Sequence, residues 1–154
     1  MTTINLLLVD DEKPFIETLA DRLRKRGFTV DCSFSGIDAL NQLENNKTID
    51  VVVLDVKMPG LDGIKTVKKI KKKHPLVEVI MLTGHSTILS AVEAIKLGAF
   101  DYLTKPCDIN ELISKVKQAV SRKKEREAKI FDIRIKLYIT KQERDEMISK
   151  ILES

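Results

Sequence analysis

Leu6-Leu7-Leu8-Val9-Asp10-Asp11 places two aspartates directly after a short apolar run, and Val51-Val52-Val53-Leu54-Asp55 repeats the arrangement further along the chain. Short apolar runs of this kind are typical of parallel strands that are buried on both faces. A strand that stops on Asp delivers its carboxylate to the C-terminal edge of the sheet, where ligands bind in open α/β sheets. Three carboxylates at one edge repel one another. We therefore expect them to hold a hard divalent cation, or one of them to act as a nucleophile.

Strand-like and helix-like segments alternate along the whole first part of the chain. This alternation predicts right-handed β-α-β crossovers and a parallel sheet with helices on both faces. Five strands favour the flavodoxin-like doubly wound order 2-1-3-4-5, in which strands 1 and 3 are neighbours and Asp10, Asp11 and Asp55 converge. The predicted strands are 5–9, 29–34, 51–54, 79–82 and 101–104. The predicted helices are 14–26, 36–45, 63–73, 87–97 and a fifth that begins near Ile109.

Composition and charge exclude several classes of protein. No apolar run approaches the ~20 residues that a membrane helix needs, and no signal peptide is evident, so we expect a cytoplasmic protein without membrane contact. Cys32 and Cys107 fit no metal or disulfide spacing and are expected to be free thiols. The net charge is +4, and the six lysines of residues 65–73 have no aromatic neighbours to stack on bases, so we expect no direct nucleic-acid binding.

The residues after the predicted domain (1–121) are expected to form a charged, helical C-terminal extension (122–154). Apolar residues continue the spacing of the fifth helix, but Lys123 and Arg126 interrupt this seam, so a coiled coil is only one alternative. Residues 131–139 also alternate between apolar and polar, which leaves a strand open there. Thr140 and Glu143 form a capping box that predicts a last short helix.

Two further polar residues end predicted strands beside Asp55. Thr83 ends strand four and Lys105 ends strand five, and each can donate a hydrogen bond to an anion. Gly84 leaves space for such an anion to approach. A carboxylate that faces a metal ion, a lysine and a hydroxyl suits phosphoryl transfer to Asp, because the transferred group spreads negative charge over three oxygens.

Four motifs carry a resemblance to a known family. They are Leu8-Val9-Asp10-Asp11-Glu12, Leu54-Asp55-Val56-Lys57-Met58-Pro59-Gly60-Leu61-Asp62-Gly63, Met81-Leu82-Thr83-Gly84-His85 and Gly98-Ala99-Phe100-Asp101-Tyr102-Leu103-Thr104-Lys105-Pro106. With them the chain resembles the receiver domain of two-component response regulators, and among these the receivers of enhancer-binding transcription activators. The resemblance extends without a gap over residues 4–120.

The resemblance implies a role for each of these residues. Asp55 is the expected phosphoacceptor, and it takes a phosphoryl group from a phosphohistidine. Asp10, Asp11, Asp55 and the backbone carbonyl of Lys57 are the expected ligands of Mg²⁺, with Asp10 acting mainly through a bound water.

Other residues would respond to the phosphoryl group. Lys105 would pair with a phosphoryl oxygen, and its peptide bond to Pro106 is expected to be cis. Thr83 would hydrogen-bond another phosphoryl oxygen and vacate space for Tyr102. Lys57 and His85 would tune the attack by water that ends the signal.

The resemblance thus implies a signalling switch that phosphorylates itself from a donor and dephosphorylates itself with water, and no conventional turnover enzyme. The expected partners are a sensor histidine kinase or phosphotransfer protein and a downstream protein, because a chain ending at Ser154 leaves no room for a complete output domain. A homodimer would form through helix 4, strand 5 and helix 5 or through the C-terminal helix.

Three alternative functions fit the sequence to different degrees. The chain could be the receiver fragment of a larger DNA-binding transcriptional regulator, with the tail as its linker and dimerisation helix. A phosphatase or metal hydrolase is disfavoured because no general base or second metal set stands near Asp55. A flavin-binding protein is disfavoured because the loop Asp10-Asp11-Glu12-Lys13 is acidic where phosphate binding needs free backbone amides.

Overall fold

The computed structural model describes residues 3–84 and 87–154 of the chain. Strands and helices alternate throughout its first part, as the sequence predicts. The strands are β1 Asn5–Val9, β2 Thr29–Ser33, β3 Val51–Asp55, β4 Glu78–Thr83 and β5 Asp101–Thr104. The helices are α1 Lys13–Arg24, α2 Gly36–Asn45, α3 Gly63–Lys73, α4 Ile88–Lys96, α5 Ile109–Arg134 and α6 Lys141–Glu153.

The five strands form one parallel sheet in the order β2-β1-β3-β4-β5, which confirms the predicted topology. β1 lies directly beside β3, and Val9 pairs with Leu54 in their register. The next residues along the two strands are Asp10 and Asp55. Strand order and register together therefore carry both carboxylates to the same point of the sheet edge.

The core has two layers, one on each face of the sheet. Successive residues of a strand point to opposite faces of the sheet, so adjacent residues of β1 belong to different layers. Leu6 and Leu8 pack in the layer covered by α1 and α5. Leu7 and Val9 pack in the layer covered by α2, α3 and α4. Both faces of the central strands are buried, which explains their nearly continuous apolar sequence.

The tail is helical, as predicted, and the alternative of a strand is wrong. α5 continues without a break to Arg134, so the predicted domain boundary after residue 121 lies within a helix. Thr140 caps α6 by accepting a hydrogen bond from the Glu143 amide at 3.1 Å. α6 packs back along α5 and covers Ile130 and Ile133, which are 7% and 6% exposed. This packing favours a helix there because it buries Ile130 and Ile133 on one face, whereas Phe131 on another face stays exposed.

The charged residue predicted to interrupt the apolar seam of α5 is itself buried. Arg126 is only 6% exposed, because its guanidinium donates to the Glu78 carboxylate and to the backbone oxygen of Ser154. The tail is therefore tied to the sheet by an ion pair as well as by apolar packing. No helix in the described parts of the chain is both long and apolar enough to cross a membrane. Cys32 and Cys107 are both free and half-buried, as expected.

Candidate functional site

Three aspartates meet at the C-terminal edge of β1 and β3. Asp10 is completely buried, Asp55 is 7% exposed, and Asp11 faces solvent. One carboxylate oxygen from each lies within 4.8 Å of the other two. Oxygen ligands at this spacing suit a small hard cation such as Mg²⁺, which keeps several of its waters. The structure thus brings together the acidic residues that the sequence singled out.

A glycine lets α3 begin against the end of β3. A Cβ atom on Gly63 would lie 2.5 Å from the carbonyl oxygen of Asp55 and 2.8 Å from the Cα of Val56, so no larger residue fits. The Gly63 amide also donates to the Val56 carbonyl at 3.0 Å. This close approach holds the loop between Asp55 and α3, which includes Lys57, against the sheet edge.

Lys105 supplies the positive charge of the site. Its Nζ lies 2.6 Å from Asp10 Oδ2 and 3.4 Å from Asp55 Oδ1. The amine also lies 4.8 Å from the centre of the Phe15 ring, a distance at which the ring attracts a cation. The Lys105–Pro106 peptide bond is cis, as the resemblance predicts. Lys105 therefore bridges the two buried carboxylates from the end of β5.

The site contains more negative charge than Lys105 alone can neutralise. Burial and the nearby charge of Asp10 raise the pKa of Asp55 to about 6, although Lys105 opposes this shift. Burial would lower the pKa of Lys105, but its hydrogen bond and ion pairs with Asp10 and Asp55 raise that pKa above the ordinary value. The charge of Asp10 thus makes Asp55 harder to ionise. A bound cation would relieve this repulsion.

Thr83 ends β4 beside this cluster and is completely buried. Its hydroxyl donates to the Gly84 carbonyl at 3.0 Å and is hydrogen-bonded to the hydroxyl of Thr87, just before α4. Asp55 pairs with Leu82 in the sheet, so Thr83 is one residue further along β4. Thr83 therefore links the edge of the sheet that carries Asp55 to the start of α4.

The remaining predicted residues differ in how far the structure describes them. Tyr102 in β5 is half-buried and packs against the core layer under α4. Lys57 is exposed, and its backbone amide hydrogen-bonds the Asp55 carboxylate. His85 lies outside the described residues.

Sequence reasoning did not single out Phe15 or Thr87. Phe15 follows the predicted start of the first helix, and nothing in its local sequence shows that it will lie against a lysine from β5. Thr87 was placed in the fourth helix by its spacing, whereas it precedes that helix and contacts Thr83. Both contacts join residues through the fold, so only the assembled structure reveals them.

Comparison with known proteins gives a consistent result. The family model described as response regulator receiver domain matches residues 6–117. The DNA-binding transcriptional regulator NtrC of Escherichia coli K12 is 40% identical over 120 residues, which are 78% of this chain and 25% of that protein. A receiver domain protein from Clostridium thermocellum superposes with a TM-score of 0.76 at 37% identity and covers 79% of this chain and 97% of that one.

One similarity extends into the tail. The crystal structure of NtrX from Brucella abortus in complex with ADP matches with a TM-score of 0.78 at 30% identity. The match covers 97% of this chain and 33% of the NtrX chain. This chain therefore spans about a quarter to a third of the length of these larger regulators.

Proposed function

Because the chain belongs to the response regulator receiver domain family, we propose that it is a phosphorylation-activated switch of a two-component system in which Asp55 accepts the phosphoryl group. The observation that carries this proposal is the placement of Asp55 between two other aspartates and Lys105 at the sheet edge. The expected donor is a phosphohistidine on a sensor histidine kinase or a phosphotransfer protein.

In the transfer step, a carboxylate oxygen of Asp55 attacks phosphorus while the bond from phosphorus to the donor nitrogen breaks. The electron pair stays on the leaving nitrogen, and an acyl phosphate forms on Asp55. Asp55 can attack in this way only when it is ionised, and a pKa of about 6 leaves it mostly ionised at neutral pH. Water later attacks the phosphorus, the bond between phosphorus and the Asp55 oxygen breaks, and inorganic phosphate leaves while the carboxylate is restored. Lys57 and His85 are proposed to tune this second step.

We propose that Asp10, Asp11, Asp55 and the backbone carbonyl of Lys57 hold Mg²⁺. The donor set fits, because it consists of hard oxygens whose mutual repulsion already raises the pKa of Asp55. When bound, the ion would neutralise charge on the transferred phosphoryl oxygens. Lys105 would neutralise further charge from the opposite side by pairing with one phosphoryl oxygen.

Thr83 and Tyr102 are the proposed switch residues. The Thr83 hydroxyl now bonds Gly84 and Thr87, so a new bond to a phosphoryl oxygen would cost at least one of these. Breaking the bond to Thr87 would alter the start of α4 and leave space for Tyr102. The phosphoryl group would thereby favour one arrangement of the surface formed by α4, β5 and α5, where a partner protein binds. The same surface, or the tail, is proposed to form a homodimer.

The proposal is tested by labelling the protein with acetyl phosphate in Mg²⁺. Asp55→Asn should abolish the added mass of one phosphoryl group, because the amide is not a nucleophile. Asp62→Asn is the matched control and should still be labelled, since Asp62 caps α3 and is not one of the clustered aspartates. Labelling of Asp55→Asn at the wild-type rate would refute Asp55 as the acceptor.

A further inference from the structure

A groove of about 530 Å³ lies between α2 and α3, outside the acidic cluster. Its floor is apolar and is formed by Ile37 and Leu40 of α2 and by Leu61 of the loop before α3. Lysines 69, 72 and 73 of α3 line its rim. Ile37 is 62% exposed, so the groove presents a large apolar side chain to solvent.

The close packing of the two helix starts explains why the groove opens. A Cβ atom on Gly36 would lie 2.3 Å from Thr66 Oγ1 and 2.8 Å from the Leu61 carbonyl oxygen, so the glycine allows α2 to touch α3 there. Near the ends of the helices, two long side chains reach across, with Lys73 Nζ at 3.8 Å from Glu44 Oε1. The helices thus touch at their starts and leave a cleft further along.

The rim of the groove is mostly basic: among the described residues that line it, the one acidic side chain is Glu44 of α2, which pairs with Lys73. Residues 63–73 contain six lysines and no acidic residue. In the part of the chain that the structure describes, only Lys71 and Lys73 of these lysines lie within 4.0 Å of a carboxylate. Lys69 and Lys72 are exposed and have no such neighbour among those residues. They are spaced as i and i+3, so both lie on the same side of α3.

We propose that this α2–α3 groove docks an acidic amphipathic helix of a partner protein. Apolar residues at i, i+3 or i+4 of the partner helix would cover Ile37, Leu40 and Leu61, as amphipathic helices do in other apolar grooves. Acidic residues along its sides would face Lys69, Lys72 and Lys73, because complementary charge steers the approach and sets the register.

Two other occupants suit the groove less well. Nucleic acid needs aromatic side chains to stack on bases or a wholly polar track for the backbone, and this groove has an apolar floor without aromatic residues. A second copy of this chain would have to offer an exposed apolar helix that is acidic. α4 has exposed apolar residues, but it carries one acid, Glu93, and one base, Lys96.

The docking surface is separate from the phosphorylation site. None of the eight residues that line the groove belongs to the acidic cluster, so docking does not rest on the proposed function. Asp55→Asn should therefore bind the partner helix as the wild-type chain does, and binding that needed Asp55 would overturn the separation.

The experiment measures fluorescence anisotropy of a labelled synthetic helical peptide with the full chain. The peptide has leucines at i, i+3 and i+7, which form one apolar face, and glutamates beside them. The double variant Lys69→Glu/Lys72→Glu should weaken binding by roughly tenfold or more, because two attractions become repulsions. The matched control Lys25→Glu/Lys117→Glu makes the same change in net charge at exposed lysines that lie on neither α2 nor α3 and do not line the groove. It should weaken binding by less than about threefold, because exposed charges at a distance are screened by salt.

A second variant tests the apolar floor. Ile37→Asp should also weaken binding about tenfold. Because Ile37 is exposed, an unchanged far-UV circular dichroism spectrum would exclude misfolding as the cause of the loss.

Several results would overturn the proposal. These are equal losses in the two double variants, tighter binding of a single-stranded oligonucleotide at the same lysines, or a dimer in light scattering that dissociates in Lys69→Glu/Lys72→Glu. Absence of binding by the acidic peptide would do so as well.

Discussion

Replacing Glu78 with Gln tests the ion-pair cluster that joins the tail to the sheet. Glu78 begins β4, and its side chain is completely buried. Its carboxylate pairs with three cations: Lys71 Nζ at 3.5 Å, Arg126 Nη1 at 3.4 Å and the Nε of Arg122. Gln keeps the shape of the side chain but removes the charge. The three cations would then lose their common partner.

The expected loss of stability follows from how each cation can respond. Burial lowers the pKa of Lys71 to about 8, and Glu78 opposes that shift. Without Glu78 the pKa falls further, and at pH 7 the amine escapes the penalty by losing its proton. This limits the contribution of Lys71 to about one pKa unit, or about 1 kcal/mol. Arg126 cannot lose its proton, so the free-energy cost of leaving its buried charge without the Glu78 carboxylate persists. Breaking a buried pair costs ~3–5 kcal/mol, and Arg126 still reaches Ser154, so we expect ~3 kcal/mol in total.

The assay is urea unfolding followed by far-UV circular dichroism, which suits a chain without tryptophan. A loss of ~3 kcal/mol corresponds to a melting temperature lower by ~6–12 °C for a chain of this length. The folded-state pKa of Lys71 is below its ordinary value of 10.5, so the unfolded chain binds more protons between about pH 8 and pH 10.5. The penalty that the buried Lys71 charge imposes on the fold is therefore full below about pH 8 and is lost as pH rises through that range.

The same titration predicts how the effect of the substitution changes with pH. At pH 9, Lys71 is mostly neutral in both proteins, so the difference in stability should shrink to ~2 kcal/mol. Glu125→Gln is the matched control and should have little effect at either pH, because the pair of Glu125 with Lys129 lies at the surface. A loss below ~1 kcal/mol at pH 7 would refute the compensating role of Glu78. A difference that does not shrink by pH 9 would refute the part assigned to Lys71.

Two further predictions concern the acidic cluster and self-association. Lys105→Met should lower the free energy of unfolding by ~3 kcal/mol without Mg²⁺, because buried Asp10 loses its cation. Mg²⁺ should restore part of this loss in urea titrations, and an equal loss with and without Mg²⁺ would argue against a shared metal site. The proposed homodimer should dissociate in light scattering on Phe131→Glu, if the tail forms the interface, or on Leu89→Glu, if α4 does. These side chains are 63% and 85% exposed, so a mass unchanged by both variants would contradict the dimer.

Local sequence was sufficient to place most elements within one or two residues. Apolar runs that end on Asp define β1 and β3, and the observed register aligns their ends. The differences concern polar residues at strand ends. Glu78 and Thr83 are part of β4, whereas the predicted strand was 79–82. A buried Glu at the start of a strand looks like a loop residue in the sequence, because the cations that compensate it come from α3 and α5.

The tail shows more clearly that a local sequence pattern alone cannot fix the secondary structure. Residues 131–139 alternate in a way that fits a strand, and their local pattern cannot exclude one. Packing decides the matter, because α6 buries Ile130 and Ile133 of α5 and the end of the chain reaches Arg126. The lysine and arginine that interrupt the seam are accommodated by acids from the sheet side, Asp50 for Lys123 and Glu78 for Arg126.

Short-range sequence patterns are enough to predict the doubly wound fold, the family and the residues that gather around Asp55. The strand ends that carry these residues meet at one edge whatever the details of packing. Three features emerge only when the chain is folded: Lys105 bridges Asp10 and Asp55, Thr83 is held by Thr87, and α2 and α3 leave a basic groove. Each of these depends on distances of a few ångströms between segments far apart in the chain, and such distances are set by how the helices pack on the sheet.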